Sequence, residues 1–171
     1  MNRILIAGVG NIFLGDDGFG VEVARRLASE ILLEDVSVVD FGIRGIHLAY
    51  QLVAGYDAAI IVDAVSRGEA PGTVYVIEPD LADGAACAVS DSHDMVLDNV
   101  FATVRTLNGT PPQRVLIVGC EPAELDEKIG LSDSVTRAIP YAIRTVREII
   151  AGRIDGRFVR PSAAIGIREE A

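Results

Sequence analysis

Residues 8–20 read GVGNIFLGDDGFG, placed between an apolar run at residues 4–7 and a helical pattern. Glycines between a strand and a helix commonly form a loop that cradles a phosphate. This loop instead carries Asp16 and Asp17, whose charges repel one. The dinucleotide register G-x-G-x-x-G also fails, because its third place is Phe13. Asp40 ends the next strand, as a ribose-binding acid would, but about ten residues later than that fingerprint requires. A nucleotide is disfavoured. The simplest structural use of the aspartates is an N-cap, which accounts for one of the two and leaves the other free for a site.

Periodicity outward from this loop predicts alternating strands and helices. Strands are expected at residues 3–9, 36–39, 58–62, 74–77 and 115–118. Helices are expected at about 18–32, after FGIRG with Ile46, Ala49, Tyr50 and Val53 on one face, and at about 94–107. A last helix carries Val135, Ile139, Ile143, Val146 and Ile150, with a kink or a late start at Pro140. The alternation implies an α/β three-layer sandwich, a five-stranded mostly parallel twisted sheet with helices on both faces. The connection at residues 66–73 is too short for a parallel crossover, and its Pro71-Gly72 is a turn signal. Strand four is therefore expected to run antiparallel.

The chain has 171 residues, half of them hydrophobic, which suits one α/β domain over 1–156 with a tail at 157–171. Its formal net charge of −10 disfavours nucleic acid. The longest apolar run, residues 58–62, is strand-sized, so no membrane span is expected. Nor does the start of the chain read as a secretory signal. Two cysteines, Cys87 and Cys120, do not make a disulfide framework, and a cytoplasmic protein with reduced thiols is expected.

Open α/β sheets bind ligands beyond the carboxyl ends of their parallel strands. The first three strands deliver Asp16/Asp17, Asp40 and Asp63 to that edge. His93, just before the helix that leads into strand five, is expected on the same rim. Taken singly, each has a bland use as a cap or a turn residue. Two carboxylates and an imidazole together suit a borderline divalent cation with open positions, such as zinc or nickel. His47 reads as a solvated helix residue and Cys120 as packing. Neither HExxH nor GxSxG is present.

GVGNIFLGDDGFG, IIVDAV, PGTVYVIEP, SDSHD and IVGCEPAELDEKIGLSDSV, in this order, resemble the hydrogenase maturation endopeptidases over roughly residues 3–150. The resemblance implies a cytoplasmic peptide-bond hydrolase, aspartic-type or metal-dependent. It implies removal of the C-terminal extension of a nickel–iron hydrogenase large-subunit precursor after nickel insertion. The nickel is carried by the precursor, and the metal-contacting positions fall on Asp17, Asp63 and His93. Asp17 or Asp40 is a candidate to activate water. One departure is DFGIRG, where Ile43 and Arg44 replace the hydroxyl-bearing D-x-G-T-x-G common in relatives. A non-hydrolytic metal- or nucleotide-binding module is the rival reading.

Overall fold

The structure is a computed structural model that describes residues 3–30, 33–79 and 95–152. In chain order the elements are β1 (Ile4–Val9), a 3₁₀ turn (Gly15–Gly18), α1 (Phe19–Glu30), β2 (Val36–Gly42), α2 (Gly45–Leu52) and β3 (Ala58–Ala64). They continue with β4 (Val74–Ile77), α3 (Met95–Thr106), β5 (Arg114–Cys120) and α4 (Asp133–Ile150). The expected tail and the SDSHD stretch, including His93, lie outside the described residues.

The strands form one sheet in the order β2-β1-β3-β5-β4. β1, β2, β3 and β5 are parallel, and β4 pairs antiparallel with β5. The short 66–73 connection thus reverses the chain as expected. β4 lies beyond β5 instead of beside β3, because β3 already pairs with β1 and β5.

Strand residues alternate between two apolar layers, as the period of two requires. Leu5, Ala7, Ala59, Ile61, Val115 and Ile117 face α2 and α3. Ile6, Ile60, Val62 and Val118 face α1 and α4, meeting Phe19, Val23, Leu27, Val135, Ile139 and Val146. The sandwich is three-layered because both faces of its central strands are apolar.

The face expected of the second helix and the late start at Pro140 are corrected. α2 buries Leu48, Ala49 and Leu52, while Ile46 and Tyr50 are exposed. In an eight-residue helix that is apolar nearly all round, packing against α3 and the sheet decides the phase. α4 starts at Asp133 with Ser132 as its cap and runs through Pro140. Pro140 lies on the exposed side, so the Thr136 carbonyl that loses its donor faces water.

The glycines of the opening loop now have an explanation. α1 lies so close to the sheet that a Cβ on Gly20 would stand 2.0 Å from the Val62 carbonyl oxygen and 2.4 Å from that of Val9. A Cβ on Gly8 would meet the Gly20 carbonyl at 2.4 Å. These glycines serve helix-on-strand contact. Gly20→Ala is expected to cost about 3 kcal/mol in urea unfolding, because both obstacles are backbone and cannot rotate away. A loss under about 0.5 kcal/mol would show that α1 shifts freely.

Candidate functional site

The loop after β1 is built by two neighbouring aspartates with different tasks. Asp16 is fully buried. Its Oδ2 accepts the Ala123 and Glu124 N–H groups at 2.8 and 2.9 Å and the Ser132 hydroxyl at 2.9 Å. Its Oδ1 accepts the Ser132 N–H at 2.7 Å. Burial alone would push this carboxyl up, yet the four hydrogen bonds outweigh it and hold it below the usual carboxylate range. The expected N-cap is therefore corrected. The 3₁₀ turn has no side-chain cap, and Asp16 instead ties the first loop to the one between β5 and α4. Backbone bonds from Gly15 to Lys128, Asp16 to Glu124 and Lys128 to Phe13 complete that seam.

Asp17 is half-buried, and its Oδ2 accepts the Asn11 N–H at 2.8 Å. Asp63, on the last turn of pleat in β3, is only 5% exposed, and its Oδ1 accepts the Ala64 N–H at 2.8 Å. Each carboxylate thus has one oxygen oriented by the backbone. Gly10 lies beside both residues. Its φ is +135°, and a Cβ there would fall 1.8 Å from the Asp17 carbonyl oxygen and 3.7 Å from Asp63 Oδ1. Only glycine lets the two elements approach so closely.

Asp40, near the end of β2, lies by the same stretch of loop. Its Oδ1 is 3.7 Å from the place of a Gly42 Cβ, which is also 3.8 Å from the Gly10 carbonyl oxygen. The Asp40 carboxylate pairs with Arg25 Nε at 3.2 Å. The structure therefore gathers Asp17 and Asp63 about Gly10, with Asp40 bordering the same backbone. His93 lies outside the described residues. Among the described residues no three His, Cys, Asp or Glu side chains cluster as a metal site. His47 is exposed on α2, as expected.

Sequence reasoning passed over Glu121. It follows the apolar strand β5 in the same way that Asp63 ends β3, and that position was its signal. Glu121 is 6% exposed and accepts the Arg67 and Gly68 N–H groups at 2.7 and 3.3 Å and the Tyr75 hydroxyl at 2.7 Å. Burial first, and then this bond, push the Tyr75 phenol up. Arg67 covers the Tyr75 ring at 5.7 Å. The group fastens the chain just after Asp63. Cys120, also buried, has its thiol pushed up to about 12 by burial and then by the charges of Asp16 and Glu121. It stays a thiol, which suits packing over ligation.

An α/β sheet whose carboxyl edge presents oriented carboxylates on a glycine hinge describes a class of site, and the comparisons with known proteins narrow it. The family model "HycI: Hydrogenase maturation protease" matches residues 21–149. The hydrogenase 2 maturation protease of Escherichia coli is 34% identical over 146 residues, covering 84% of this chain and 88% of that protein. The hydrogenase expression/formation protein HupD of Rhodobacter capsulatus is 35% identical, covering 90% of this chain and 74% of its own. Among solved structures, the hydrogenase maturating endopeptidase HybD from E. coli superposes with a TM-score of 0.76 at 32% identity, covering 88% of this chain and 93% of that one. The chain belongs to the hydrogenase maturation protease family and is in that sense a peptidase. No helix among the described residues is long and apolar enough to cross a membrane.

Proposed function

We propose that this protein is the endopeptidase that removes the C-terminal extension of a nickel–iron hydrogenase large-subunit precursor, acting after nickel insertion and in the cytoplasm. The observation that carries the reading is the pair Asp17 and Asp63, drawn from separate elements and each oriented by a backbone N–H beside Gly10. With His93 they make a ligand set suited to nickel that arrives on the precursor. The nickel is part of the substrate. It polarises the scissile carbonyl or docks the peptide beside the carboxylates.

Hydrolysis needs a base that takes a proton from water as its oxygen attacks the carbonyl carbon. The C–N bond then breaks and the proton passes to the leaving amine. Asp17 and Asp40 are the carboxylates at hand, so the reaction is aspartic in its base and metal-dependent in its substrate. An empty precursor offers the three ligands nothing to share, which accounts for a requirement that nickel be loaded first.

The test is the mass of nickel-loaded precursor after incubation with the purified enzyme. Loss of the C-terminal peptide is expected with the wild type. His93→Ala should lower the rate at least ~100-fold while the melting temperature moves by less than about 2 °C. An uncut precursor under conditions where a relative cuts its own defeats the protease reading. A His93→Ala protein that unfolds shows that the imidazole was structural.

A further inference from the structure

Beside Asp17 and Asp63 a second feature extends the site past Gly10 and Asp40. Between the first loop and the end of β2 runs an open pocket of about 280 Å³, whose lining includes Ile12, Phe13, Phe41, Ile43, Arg44 and Arg25. Phe13 is 60% exposed and Ile43 73%, with Ile46 at 65% in the first turn of α2. Large apolar side chains so exposed and so close together mark a surface that meets something. The charge of the groove is opposite to that of the chain. The whole protein carries −10, yet here two guanidiniums face one carboxylate. Arg25 pairs with Asp40. Arg44 instead donates from Nε to the Phe41 carbonyl at 3.0 Å and from Nη2 to the Asp40 carbonyl, so both of these bonds end on neutral oxygens.

The backbone beside the groove is also available. Among the described residues no strand lies beyond β2. The Asp35 carbonyl bonds Ile4 on β1, so by alternation residues 36, 38 and 40 turn away from β1; the Leu33 carbonyl takes the Val36 N–H and Arg44 the Asp40 carbonyl, which leaves the edge centred on Val38. The Arg44 bond to the Asp40 carbonyl agrees with that phase. An edge of this kind pairs with an extended chain.

We propose that this groove seats an extended segment of the precursor that presents an apolar side chain to Phe13 and Ile43 and a carboxylate to Arg44. The proposal rests on the processing reading above and adds how the substrate is told apart. Ile43 and Arg44 are the specificity-determining pair, and the departure DFGIRG is fitted to this precursor. Charge complementarity selects the acidic partner group, since the groove sets two guanidiniums against one carboxylate on a chain of net charge −10.

Cleavage kinetics on the nickel-loaded precursor test it. Ile43→Glu is expected to raise KM at least ~10-fold with kcat within about twofold, and Ile43→Leu to leave both within about twofold. Arg44→Gln should raise KM about fivefold and flatten the rise of KM with added salt that is expected of the wild type. Ile129→Glu is the control, since Ile129 is 75% exposed and outside this groove. An unchanged KM in Ile43→Glu, or a KM equal to that of Ile129→Glu, overturns the groove. So does a collapse confined to kcat. A wild type that leaves the precursor whole overturns the processing reading instead, and the seat falls with it.

Discussion

Asp16→Ala is expected to lower unfolding stability by about 4 kcal/mol and the melting temperature by ~12 °C. The carboxylate is fully buried and accepts three backbone N–H groups and one hydroxyl. Truncation leaves four buried donors without an acceptor, and each such donor costs about 1–3 kcal/mol before relaxation. Asparagine does not rescue the site. Its Oδ1 can still take the Ser132 N–H, but its amide would point N–H groups at the N–H groups of Ala123 and Glu124. Because the folded pKa is depressed, the contribution is fully present above the unfolded value near 4 and fades as pH falls through the folded one. The gap between wild type and Asp16→Ala should therefore be constant near neutrality and close only below about pH 4. Urea titrations from pH 7 to 3 measure it. A neutral-pH loss under about 1 kcal/mol would mean that the seam between the two loops holds without its carboxylate.

The same aspartate shows where the sequence stops being informative. Asp16 and Asp17 are adjacent, with identical side chains, and nothing local distinguishes them. The partners of Asp16 are more than 100 residues away, at Ala123, Glu124 and Ser132, so its task is visible only after folding. Features set by local pattern fared better. Alternating apolar runs specified the parallel strands, and the short Pro71-Gly72 connection specified the reversal into β4. The rule that ligands bind at the carboxyl edge brought Asp17 and Asp63 to neighbouring positions about Gly10. Features set by packing were not legible. The face of α2 was chosen by its neighbours, and Gly8 and Gly20 of GVGNIFLGDDGFG make room for a helix against a strand. A glycine that spares a ligand and one that spares a carbonyl look alike in the sequence.

Asp63→Asn should have the opposite profile to Asp16→Ala, with little change in stability and a large loss of cleavage. Asparagine keeps the shape and the Oδ1 that accepts the Ala64 N–H. The isosteric change leaves the packing of this 5% exposed side chain intact, so the melting temperature should move by less than about 3 °C. The processing rate should fall by about 10³-fold, the range for a group that bears on charge developing in the transition state. The sharper measurement is the double variant. If Asp63 and His93 contact one cation, losing the first contact already forfeits what the second supplies. Asp63→Asn with His93→Ala should then be no more than about threefold slower than the worse single variant. Losses that multiply would show two groups acting separately, and the shared nickel would have to be abandoned even with the protease activity intact.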